Sequence, residues 1–156
     1  MGSDSDMPIV EKAINTLKEF EVPYEVHVFS AHRTPEESRE FSQNAAKNGF
    51  GAIIAAAGMA AHLAGAIAAN TCLPVIGIPV KSTLDGIDAL LSTVQMPSGI
   101  PVATVAINGA VNAALLSIQI LATSDESLYE KLVAHRKKGY ETVLEKNANI
   151  EKQFNN

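Results

Sequence analysis

Apolar side chains recur at helical spacing from Met7 to Phe20, where Ile9, Val10, Ala13, Ile14, Leu17 and Phe20 share one face and Pro8 suits a first-turn position. Val22-Pro23 ends that segment, and Tyr24 to Phe29 (YEVHVF), β-branched and aromatic, predicts a strand. Thr34-Pro35-Glu36-Glu37 predicts a helix start, with Thr34 as N-cap, Pro35 in the first turn and Glu37 closing a capping box. That helix runs to about Lys47, and Asn48-Gly49 stops it. Ala52 to Ala57 (AIIAAA) is apolar throughout, as a strand buried on both faces must be. Ala60 to Asn70 reads as a helix, Pro74 to Pro79 (PVIGIP) as a buried strand, and Gly86 to Val94 as a short helix. After a turn at Pro97-Ser98-Gly99 come a strand, Val102 to Ile107 (VATVAI), and a long helix opened by Asn108-Gly109 and reaching about Thr123. A last amphipathic helix starts at Ser124 or Asp125 and ends near Lys146, before a polar tail.

Alternating helices and apolar strands predict a three-layer, flavodoxin-like α/β fold: a parallel sheet of four strands with helices on both faces. The 156 residues suit one domain spanning 1–156, with 124–146 as an extended C-terminal helix. In such folds a loop like Gly2-Ser3-Asp4-Ser5-Asp6 follows a central first strand, and that first strand is missing from this sequence.

Composition narrows the function. With 47% hydrophobic residues the chain can build a core, and a net charge of -5 argues against nucleic acid or an anionic membrane as its main partner. A single cysteine, Cys72, excludes an internal disulfide framework and a cysteine-built metal site, and a reduced cytoplasm is its natural setting. No membrane helix or signal peptide is expected, because Gly58, His62 and Gly65 interrupt the longest apolar run and the first residues are polar. Aromatics are only 5% with no Trp, so Ala, Val and Ile must fill the core.

Ligands of open parallel sheets bind beyond the carboxyl ends of the strands, and three loops there stand out. Gly2 to Asp6 offers small residues and hydroxyls at a helix N-terminus, suited to an oxyanion, with Asp6 suited to a ribose hydroxyl; it reads equally as an N-cap loop. Ser30-Ala31-His32-Arg33-Thr34-Pro35 carries an imidazole that titrates near neutrality and a guanidinium fork for phosphate or carboxylate; both also occur as solvated loop residues. Ala57 to Gly65 (AGMAAHLAG) is almost without bulk, so its backbone is open to a ligand, and His62 is either a second acid–base group or a residue orienting the loop. His27 reads as structural, His135 as part of a solvated face, and Cys72 as a buried, inert thiol. There is no P-loop, no G-x-G-x-x-G, no zinc spacing and no G-x-S-x-G elbow.

Taken together, GSDSD (Gly2 to Asp6), SAHRTP (Ser30 to Pro35), AGMAAHLAG, PVIGIP and LLSTVQMPSGIPVATVAI (Leu90 to Ile107) resemble the catalytic-subunit family of phosphoribosylaminoimidazole carboxylase. Within it the resemblance is closer to the bacterial N5-carboxyaminoimidazole ribonucleotide mutase branch, and it covers nearly the whole chain. The resemblance implies an isomerase of purine biosynthesis that moves a carboxyl group from the exocyclic nitrogen to ring carbon 4, with no cofactor. It implies His32 as the catalytic imidazole. Ser3 and Asp6 would contact the ribose phosphate end, and Arg33, helped by Ser5 and Ser30, would bind phosphate. The loop Gly58, Met59, Ala60, His62 and Leu63 would close over the imidazole ring and carboxyl group, with His62 holding that loop. It also implies a homo-octamer in which the final helix reaches a neighbour.

The chain departs from the family at Met59, where Gly is usual and where either φ is positive or a ligand sits close, at Ala64, where Pro is usual, and in the missing first strand. The competing readings are direct carboxylation of aminoimidazole ribonucleotide by carbon dioxide, a ribonucleotide-binding domain without catalysis, and a purely structural domain.

Overall fold

A computed structural model describes residues 1–155. A 3-10 turn, Asp4–Asp6, leads into α1 (Met7–Glu19). Then follow α2 (Pro35–Asn44), β1 (Ile53–Gly58), α3 (Leu63–Ala68), β2 (Val75–Val80), α4 (Ile87–Val94), β3 (Ala103–Thr104), α5 (Ala110–Leu121) and α6 (Glu126–Phe154). The three strands form one parallel sheet in the order β1-β2-β3, with Ile53 opposite Val75 and Gly58 opposite Val80.

Apolar strands demand cover on both faces, and each face has its own core. On one side Ala56, Ile76, Ile78 and Val80 pack against Ala13 and Leu17 of α1 and Ala110, Ala114 and Ile118 of α5. On the other, Ile53, Ala55 and Val75 pack against Leu63, Ala64 and Ile67 of α3. Small residues allow this closeness. At Gly77, in the middle of β2, an added Cβ would overlap Thr93 Cγ2 and lie 3.1 Å from Val102 Cγ1 and 3.3 Å from Ala64 Cβ. Gly77→Val is therefore expected to destabilise the fold by about 3 kcal/mol or more, read as a fall in the denaturation midpoint.

Five expectations are corrected. Cys72, expected to be buried, is exposed in the bend before β2. Tyr24 to Phe29 is extended but is not a strand, because a strand needs a ladder partner and, among the described residues, Met1 alone supplies one. The Met1 amine donates to His27 O at 2.9 Å and Phe29 N–H donates to Met1 O at 2.9 Å, while Gly2 N–H donates to Ala56 O at 2.9 Å. The strand expected over Val102 to Ile107 shrinks to Ala103–Thr104, since Pro101 lacks an N–H and the chain turns at Asn108 (φ 58°). The capping box at Thr34 is unmade: its hydroxyl accepts from Ser30 N–H at 2.8 Å and bridges back to Ser30 O. The last helix does not stop near Lys146 but runs to Phe154, capped at its start by Asp125, whose carboxylate accepts from Leu128 N–H. Its end holds Ala148, Glu151, Lys152 and Gln153, strong helix formers, beside Asn147 and Asn149, and no Gly or Pro follows Gly139 to stop it.

Candidate active site

The carboxyl ends of the strands gather the three loops. In the first, Ser3 caps the 3-10 turn: its Oγ accepts from Ser5 N–H at 3.3 Å and Ser5 Oγ–H at 2.9 Å. Asp6, which follows, is 7% exposed. Burial pushes its carboxyl pKa up, against a backbone hydrogen bond at Ser3 and the nearby Met1 ammonium, which favour the charged form. A carboxyl with a raised folded-state pKa stabilises the fold below its unfolded pKa and loses that contribution as pH rises through the folded value. Asp6→Asn is therefore expected to raise Tm by roughly a few degrees at neutral pH, with the gain shrinking as pH falls toward about 4, in a thermal-denaturation series.

The second loop lies against the first. Ser30 Oγ accepts from Arg33 N–H at 3.2 Å and from Arg33 Nε–H at 3.5 Å, and Arg33 Nη2 donates to Gly2 O at 3.4 Å. The guanidinium is exposed and forms no salt bridge among the described residues, so its charge is free for an anion.

The third loop meets the second through imidazoles. His32 Nε2 and His62 Nδ1 lie 3.2 Å apart, with the rings edge to face at 84°. A hydrogen bond there needs a proton on one of these nitrogens and a lone pair on the other, so the contact couples the two tautomers. Both histidines are exposed. Met59 takes φ 54°, one of the two readings of its glycine-like position, and the two tight hydrogen bonds that follow, Ala61 N–H to Met59 O and His62 N–H to Ala60 O, delay α3 until Leu63. That is why the helix expected from Ala60 is shorter.

The structure thus joins His32 to His62, and Arg33 to Ser30 and Gly2, with Ser3, Ser5 and Asp6 on the adjoining turn. Gly58, Met59 and Ala60 form the open part of the third loop, Met59 being 59% exposed. Leu63 is different: its side chain is 3% exposed in the second core, so it offers the site only backbone. Two residues were not singled out from sequence. Ser82, just after β2, accepts from Met59 N–H at 3.3 Å, and Asn108 Oδ1 accepts from Lys81 N–H at 2.9 Å. Ser82 was legible as a hydroxyl at a strand's carboxyl end; Asn108 read only as a helix opener.

A free guanidinium among serine hydroxyls, with an imidazole pair joining its loop to the next, stands at the carboxyl edge of the sheet in this parallel α/β domain. Residues 1–142 match the family model described as AIR carboxylase, and the chain belongs to that family. It is 54% identical over 152 residues to N5-carboxyaminoimidazole ribonucleotide mutase of Pyrococcus horikoshii, covering 97% of this chain and 86% of that one. It is 53% identical over 152 residues to phosphoribosylaminoimidazole carboxylase of Saccharomyces cerevisiae, covering 97% of this chain but 27% of that protein. The crystal structure of Treponema denticola PurE superposes with a TM-score of 0.87 at 28% identity, covering 97% of this chain and 95% of that chain.

Proposed function

We propose that this chain is a mutase of purine biosynthesis that moves the carboxyl group of N5-carboxyaminoimidazole ribonucleotide to ring carbon 4. The observation that carries this reading is the juxtaposition of His32 with the His62 loop, 3.2 Å apart, on a chain more than half identical to a mutase along nearly its full length. Arg33, Ser3, Ser5 and Ser30 bind the phosphate, and Asp6 the ribose. Gly58, Met59, Ala60 and the Leu63 backbone lie along the base and carboxyl group, with His62 holding that loop against His32.

The carbamate C–N bond breaks, and its electron pair stays on nitrogen, which takes a proton from His32. The carbon dioxide released is retained, ring carbon 4 attacks it, and the new C–C bond forms. Neutral His32 then removes the proton from carbon 4 and aromaticity returns. The imidazole ends as it began, so one residue serves both transfers and no cofactor is consumed. Retention is what proximity contributes: trapped carbon dioxide has a high effective concentration at carbon 4.

Dry surroundings favour loss of the carbamate, yet His32 and His62 are exposed on a single chain. The reading therefore includes closure by neighbours in a homo-octamer. On α6, Tyr129, Val133, Tyr140, Val143, Ile150 and Phe154 are each at least 53% exposed. With Arg136 and Asn147 they fall at alternating steps of four and three residues, the spacing of a helix-packing seam. No helix among the described residues is long and apolar enough to cross a membrane, and the reading sets the reaction in the cytoplasm.

The test supplies the substrate with a labelled carboxyl group in unlabelled bicarbonate, without ATP. Product retaining the label is expected. Turnover of unmodified aminoimidazole ribonucleotide with bicarbonate, and none of the carboxylated substrate, would replace the mutase by a direct carboxylase.

A further inference from the structure

The third loop turns on one residue. Met59 carries a side chain at φ 54°, in the left-handed region that favours glycine, so its turn is strained and needs a tie to persist. The bonds that follow pass the direction of the turn along the chain: Ala61 N–H donates to Met59 O at 2.9 Å, and His62 N–H to Ala60 O at 2.8 Å. They end at His62, whose Nδ1 lies 3.2 Å from His32 Nε2. A Met59 relaxed to negative φ would swing this run of backbone and part the two imidazoles.

Ser82 is placed to be the tie. Its Oγ accepts from Met59 N–H at 3.3 Å. Its side chain also lies on the backbone of Gly58, where an added Cβ would stand 3.3 Å from Ser82 Oγ and 3.6 Å from Ser82 Cβ. Ser82 is itself braced from both sides. Val80 pairs with Gly58 in the sheet, Lys81 N–H donates to Asn108 Oδ1 at 2.9 Å, and Thr83 Oγ1–H donates to Asp88 Oδ2 at 2.7 Å. The loop then closes with Gly86 N–H on Thr83 O at 2.9 Å. A hydroxyl on a braced loop thus reaches a strained one. Apart from His32, the one other side chain bonded to residues 59–62 among the described residues is Thr93. Its contact with Ala61 O is 3.5 Å, and the same hydroxyl makes a shorter bond, 2.7 Å, to Ala89 O.

We propose that Ser82 is a positioning residue: its hydroxyl holds the Met59 turn in the left-handed conformation and thereby sets His62 against His32. The effect on turnover rests on the reaction proposed above, whereas the effect on the imidazole pair does not. Glycine adopts such a φ without strain, so a chain with glycine at position 59 depends less on the tie. A hydroxyl that touched substrate instead would matter equally with either residue there.

The test makes Ser82→Ala and Ser82→Thr in the parent chain and in the Met59→Gly background. It reads kcat, KM and Tm for each, and nitrogen-15 spectra of the histidine rings. In the parent, Ser82→Ala is expected to lower kcat about tenfold with KM changed less than about threefold. Tm should stay within roughly 2 °C, because Ser82 is exposed, and the ring signals of His32 and His62 should shift as their shared hydrogen bond is lost. Ser82→Thr keeps the hydroxyl and should recover most of the loss. In the Met59→Gly background the alanine should cost about threefold or less, measured against that background alone. Unmoved kcat and ring spectra in Ser82→Ala, no recovery with threonine, or the same fold loss in both backgrounds would overturn the assignment. If the parent does not turn over the carboxylated nucleotide, the proposed reaction falls, and the ring spectra alone decide for or against Ser82.

Discussion

His32→Asn is expected to lower kcat by about three orders of magnitude or more while leaving nucleotide Kd within about tenfold, or ~1.4 kcal/mol. The asparagine keeps a polar side chain of similar reach but cannot carry a proton between nitrogen and carbon. One imidazole performs both transfers in the scheme, so its loss removes both. In the proposed reading Arg33 and the serines hold the nucleotide's charge, so binding is expected to be largely spared. Steady-state kinetics and calorimetric titration on the same preparation separate the two effects. Turnover within tenfold of the parent would show that His32 moves no proton. A lost affinity with intact kcat would make it a binding residue.

Arg33→Met is expected to do the reverse. It keeps the length of the side chain and removes the fork, so KM should rise roughly 100-fold, about 2.7 kcal/mol, with a much smaller change in kcat. Tm should hardly move, because the guanidinium is exposed and forms only long hydrogen bonds, at 3.4 Å to Gly2 O and 3.5 Å to Ser30 Oγ. Arg33→Lys should recover only part of the loss, since an ammonium lacks the planar pair of donors. If both variants bind the nucleotide as the parent does, the phosphate is held elsewhere.

These two substitutions probe loops that were legible from sequence because their chemistry is local. Strand–helix alternation placed Ser30 to Thr34 and Gly58 to His62 at the carboxyl edge of the sheet, and runs such as AIIAAA and PVIGIP placed the strands. Of the two readings of the glycine usual at Met59, a positive φ or a close ligand, the backbone takes the first. What stayed hidden depends on partners distant in the chain. YEVHVF has a strand's side chains, but a strand is a ladder, and among the described residues Met1 alone pairs its backbone with it. Thr34 has a cap's chemistry, but Ser30 competes for its hydroxyl. Leu63 belongs to the motif by position and to the core by packing, being 3% exposed. The pairing of His32 with His62 spans 30 residues of sequence, so neither residue alone signals it.

The most direct measurement is a crystal structure of the chain with the product nucleotide bound. The phosphate is expected within hydrogen-bond distance of the Arg33 guanidinium and the Ser3 and Ser5 hydroxyls, with ring carbon 4 and its carboxyl group between His32 and the Gly58–His62 loop. A nucleotide seated with its phosphate away from Arg33, or with its base beyond reach of His32, would contradict the account.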